Sequence, residues 1–228
     1  MDPGGRQFRD DRGAADPRLA ATLAAYAAGQ ASEHAALAAL AAARLLVPVV
    51  AVLAGGAGHA DSRNRDKDSE MMLPTLIGRD GRPALPAFTC TEALALWRKD
   101  ARPVPAEAPR VWHAAVDGGC AVVIDVAGPV PVAVEGARLA ALAAGRPPPL
   151  PHQDPDVRAE VDAAVAGEPQ IAGFSLAPGR EDGAELAVRL LLADGATELA
   201  LTRAAAGIAG RLAGRLRRGI EVTATPAG

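Results

Sequence analysis

Three carboxylates stand at alternate positions, Asp66, Asp68 and Glu70. In an extended segment, residues two apart project from one face, so these three would form a single acidic row. Such a row could meet a cation or the basic surface of a partner. The glycine and ligand spacing of a calcium loop are absent, so no metal ligands are assigned. Two cations follow in Arg79-Asp80-Gly81-Arg82, on a turn next to the apolar run Met71-Met72-Leu73. Asp66, Asp68, Glu70, Arg79 and Arg82 are therefore the candidate partner-binding residues. Charged side chains are usually exposed, so the acidic row also fits an ordinary solvated loop leading into a strand.

Other chemistry-bearing residues lack the context their chemistry needs. Gly55-Gly56-Ala57-Gly58 completes neither GxGxxG nor a GK[ST] loop, and the charged run Asp61 to Asp66 follows it. No helix N-terminus is therefore offered to phosphate. Gly173-Phe174-Ser175-Leu176-Ala177 comes close to a nucleophile elbow, but Pro178-Gly179 follows where the elbow needs a helix. His34, His59, His113 and His152 are scattered, without paired-ligand spacing. His113 and Asp117 sit one helical turn apart and read as a surface pair. Cys90 and Cys120 form no CxxC and read as buried thiols in a reducing compartment. Trp97 and Trp112 read as core fillers, and Arg211, Arg215, Arg217 and Arg218 as the solvated basic end of a helix. No catalytic residue, cofactor-binding residue or cofactor is assigned.

The elements that would carry these residues are readable in outline. Asp16-Pro17 opens a helix ending at Gly29, and Ser32 caps a second. Leu45 to Val50 reads as a strand, placed near a sheet edge by Pro48. Met71 to Ile77 and Pro83 to Phe88 flank Asp80-Gly81, a strong hairpin signal because both residues tolerate positive φ. Thr89 with Glu92 predicts a capping box for a helix through Trp97, and Pro109 opens another helix to Gly118. Ala121 to Val126 and Val130 to Val134 predict a second hairpin, followed by a helix from Gly136 to Ala144. Further on, the pattern predicts a helix over 156–166, strands over 170–176 and near 186–192, a helix over 197–217 and a last strand from Ile220 to Thr225.

The run Lys67 to Leu76, then Gly78-Arg79-Asp80-Gly81-Arg82 and Leu85-Pro86-Ala87-Phe88-Thr89, resembles the central signature of the SseB N-terminal domain. Leu45 to Val50 and Gly128-Pro129-Val130-Pro131 support the likeness, which covers residues 19 to 145. The resemblance implies no settled activity and no catalytic residue. Residues 55 to 65 look like a variable insertion.

Composition bounds the rest. Half of the 228 residues are apolar and 22% are charged, a globular balance. Aromatics are 3%, and lysine occurs only at Lys67 and Lys99 while arginine is abundant, which reads as the codon bias of a GC-rich bacterial genome. A net charge of −3 offers nothing general to nucleic acid or anionic lipid. The first eighteen residues lack the apolar run of a secretory signal, and Leu45 to Gly58 is too short to span a bilayer. The expectation is thus a cytoplasmic protein without membrane or nucleic-acid partners.

The expected fold class is α+β: two small domains, each a mostly antiparallel or mixed sheet covered by helices. The expected layout is a disordered tail over 1–17, an SseB-like domain over 18–145, a proline-rich linker over 146–155 and a smaller domain over 156–226. The expected function is a non-enzymatic binding or regulatory module with a surface for a protein partner, or for a second copy in a homo-oligomer, on its N-terminal domain. The alternative is an enzyme or small-ligand sensor with a site where the domains meet.

Overall fold

A computed structural model describes residues 8, 10–53, 69–79, 81–128, 130–180 and 183–227, with backbone alone at 51–53 and 69–71. In chain order the first half carries α1 (Pro17–Ala27), α2 (Glu33–Leu40), β1 (Arg44–Leu53), β2 (Ser69–Met72), β3 (Leu76–Ile77), β4 (Pro83–Ala87), α3 (Thr91–Trp97), β5 (Arg102–Glu107), α4 (Ala108–Asp117), β6 (Ala121–Ile124) and β7 (Val132–Val134). The second half adds α5 (Gly136–Ala143), α6 (Pro155–Val165), β8 (Ile171–Pro178), β9 (Leu186–Leu192), α7 (Glu198–Leu212) and β10 (Ile220–Pro226). The fold is α+β. The chain divides into two compact units, residues 1–20 with 42–135, and residues 21–41 with 136–228.

The first unit holds two sheets, one ordered β2-β1-β5 and one ordered β3-β4-β6-β7. The first is antiparallel, while the second is mixed because β4 and β6 run parallel. They are tied where Leu46 and Phe88 exchange both backbone hydrogen bonds, at 2.7 and 2.9 Å. The expected pairing across this turn forms: Leu76 pairs with Ala84, Ile77 with Pro83, and Gly81 takes a φ of 80°. Met71 to Ile77 is not one strand, since β2 ends before Pro74 and pairs with β1 while β3 pairs with β4.

Pro48 lies in the central strand rather than at an edge, and the ladder explains how. Leu46 directs its N–H to Phe88, away from β5, and Pro48, two residues on, faces the same way. Pro48 thus withholds no donor from β5. Opposite it, Pro103 and Pro105 occupy the outward positions of β5, leaving that free edge without N–H donors there. Pro-Val-Pro hid this strand from sequence reading.

Phe88 and Trp112 are fully buried in this unit, and Trp97 packs on Phe88 with ring centroids 5.5 Å apart. Thr89 does not cap α3. Cys90 does, accepting from the Ala93 N–H at 3.4 Å, while Thr89 turns inward to Asp125. Residues 11–16, expected within a disordered tail, are held in place: Asp11 lies 2.8 Å from Arg44, and Gly13 accepts from the Thr91 N–H at 2.9 Å.

The second unit builds a sheet ordered β10-β9-β8, antiparallel between β8 and β9 and parallel between β9 and β10. A parallel pair needs a crossover, and α7 supplies it. Leu186, Val188 and Leu190 of β9 are fully buried against Val157 and Val161 of α6 and Ile208 and Leu212 of α7. The segment 146–155, expected as a linker between domains, is placed inside this unit. Pro151 is buried in a short 3-10 turn, and Asp154 is 1% exposed and caps α6. A buried carboxylate that caps a helix and pairs with a cation ties its segment to the core, which a free spacer cannot do.

Candidate functional site

The first unit presents an apolar groove of about 120 Å³. Val47 and Pro48 of β1, Leu85 of β4, Leu73 from the loop after β2, and Arg110 and Ala114 of α4 line it. Its walls come from both sheets and from α4. The volume is well below the roughly 300 Å³ of small-molecule sites, and matches one aliphatic side chain better than a metabolite. Beside it, Met72 and Leu73 remain 49% and 57% exposed and form an apolar rim. Arg110 is the rim's cation, with its nearest carboxylate contact, to Glu107, at 3.8 Å.

Of the residues singled out by sequence, Asp66 and Asp68 lie outside the described residues. Glu70 is in β2, opposite Val52, and its side chain is likewise outside. Arg79 is exposed on the β3–β4 turn. Arg82 pairs with Glu135 at 2.7 Å. Ser175 sits mid-strand opposite Arg189, and no helix follows it. His113 donates from Nδ1 to the Pro109 carbonyl at 2.7 Å rather than pairing with Asp117. Both cysteines are half-buried rather than buried.

Two polar clusters escaped the sequence reading. In the first unit, Asp125 is 8% exposed and takes a φ of 48°, a left-handed conformation rare outside glycine. Its carboxylate accepts from the Thr89 N–H at 2.9 Å and the Thr89 hydroxyl at 2.7 Å. Burial pushes the Asp125 carboxyl up from its ordinary value, and the Thr89 bonds offset this only in part. In the second unit, Glu33, Arg138, Arg215 and Asp154 form a buried ion cluster. Burial opposes the charge on Arg215, yet Glu33 and Asp154 outweigh it and hold that guanidinium above its usual value. Arg215 was expected on a solvated helix end. Instead α7 stops at Leu212, and the following turn carries Arg215 inward. Only the approach of Asp154 and Glu33 from distant sequence could have signalled it.

Among the described residues, no group of three or more histidines, cysteines or carboxylates is arranged to hold a metal, and no helix is long and apolar enough to cross a membrane. The mixed sheets and the groove define an α+β protein with an open apolar site in its first unit. A family model described as the SseB protein N-terminal domain matches residues 19–141, more than half of the chain. The chain belongs to the SseB family. Comparison with curated proteins finds no match, and comparison with solved structures finds none.

Proposed function

We propose that the chain is a binding module whose first unit receives an apolar side chain of a protein partner in the groove beside Leu73. The groove carries this reading: it is apolar and side-chain sized, and it is bordered by the exposed Met72 and Leu73. Buried apolar anchors of this kind supply most of the energy of protein interfaces, and polar rims supply specificity. Arg110 on the rim favours a partner with a carboxylate next to its anchor. The charges of Asp66, Asp68, Glu70, Arg79 and Arg82 would steer the encounter.

The test compares full-length protein with Leu73→Asp and Ala114→Glu, both at exposed positions. A partner is isolated by affinity purification and its binding to each purified variant is measured. Expected is a loss of affinity of at least tenfold in both variants with an unchanged melting temperature. Unaltered affinity in both would overturn the reading.

A further inference from the structure

The second unit contains a larger and chemically different cleft, of about 320 Å³, lined by Ser32, His34, His152, Arg180, Glu185 and Arg218 among others. That volume lies within the range of small-molecule sites. Its one acidic lining group among the described residues, Glu185, already serves the backbone. One oxygen accepts from the Glu33 N–H at 2.8 Å and the other from the Arg218 N–H at 3.1 Å. The Ser32 oxygen accepts from the Ala35 N–H at 3.1 Å, which leaves its hydroxyl proton to donate.

Among the described residues, the other ionisable side chains lining it are His34, His152, Arg180 and Arg218. The Nδ1 of His34 is buried with no hydrogen-bond partner among the described residues, so no protein group fixes that ring nitrogen. Buried polar atoms usually have a partner, and this one belongs to a side chain that lines the cleft. A Cβ on Gly179 would stand 1.8 Å from the Ala184 carbonyl oxygen, and the Gly183 N–H closes on the Arg180 carbonyl at 3.0 Å.

We propose that this cleft binds a small multivalent oxyanion, a phosphate ester or polycarboxylate of metabolite size. A guanidinium, two imidazoles and a hydroxyl lining one cleft match several oxygens carrying delocalised negative charge. The proposal is independent of the groove in the first unit.

Calorimetric titration of the full chain with pyrophosphate and with citrate, at constant ionic strength, tests it. Expected is saturable binding at one site, weakened at least tenfold by Arg180→Glu and by His152→Ala. Arg189→Glu, an equal charge reversal on the exposed side of β9, should change it little. Preference for pyrophosphate assigns a phosphate ligand, and preference for citrate assigns a carboxylate. No saturable binding of either probe at millimolar concentration overturns the proposal. So does binding that survives both cleft substitutions, or that falls equally with Arg189→Glu.

Discussion

Arg215 reaches back 182 residues to Glu33 through hydrogen bonds of 2.9, 3.1 and 3.3 Å, and the same guanidinium lies 2.6 Å from Asp154. Arg138 closes the cluster, 2.5 Å from Glu33. Two cations and two anions are thus buried together in balance. The start of α2, the turn before α6 and the turn after α7 meet at one point of the second unit.

Removing one member should leave an uncompensated buried charge, at a cost of about 3 to 5 kcal/mol. Glu33→Gln and Arg215→Gln should each lower unfolding stability by this order, measured by chemical denaturation. The double variant should lose clearly less than the sum, because Glu33 and Arg215 pair with each other and each single loss includes that shared interaction. Strict additivity would show that the cluster is not coupled.

Asp125 should make stability depend on pH. A carboxyl whose pKa is raised by burial contributes most below its unfolded value, about 3.9, and that contribution is lost as pH rises through the folded value. Asp125→Asn keeps an acceptor for the Thr89 N–H and tolerates the left-handed backbone, but carries no charge. Its melting temperature relative to wild type should rise from acid to neutral pH. A difference that is flat with pH would mean the carboxylate is not penalised.

Gly136 has a φ of 57°, and a Cβ there would stand 2.1 Å from Asp156 Oδ2. That carboxylate accepts from the Ala137 N–H at 2.8 Å, at the start of α5. Gly136→Ala should therefore lose the contact and strain the backbone, costing roughly 1 to 3 kcal/mol. Denaturation midpoints check this, and a neutral outcome would show that the turn relaxes freely.

Pro103 and Pro105 deny donors to the free edge of β5. Replacing both with valine should offer two N–H groups to another strand and promote self-association. Light scattering over a concentration series should show a rising mass for the variant relative to wild type. An unchanged mass would mean the edge is protected by other means.

Read from the sequence as a solvated row, Asp66, Asp68 and Glu70 should tolerate reversal to lysine with a nearly unchanged melting temperature, because exposed substitutions usually alter stability by less than about 0.5 kcal/mol. The reversal should nevertheless remove the principal co-purifying partner. Parallel loss of fold and binding would make these carboxylates structural.

Local chemistry was legible in the amino acids alone. Asp80-Gly81 specifies its hairpin because the turn requires positive φ, which Gly81 adopts at 80°. Ser32 caps its helix because its oxygen finds the N–H group three residues on. The apolar alternation of Leu186, Val188 and Leu190 marks a half-buried strand, and the structure buries those three. What tertiary structure alone decided involves groups distant in sequence. Pro103 and Pro105 fit a strand only because the register of β1 turns them outward, and Thr89 reads as a cap until Asp125 offers a buried acceptor. Arg215 reads as solvated until Glu33 and Asp154 surround it. The groove beside Leu73 and the cleft beside His34 likewise draw their walls from several elements. Periodicity and turn chemistry act over a few residues, whereas the burial of a charge or the opening of a cavity depends on which segments the fold brings together.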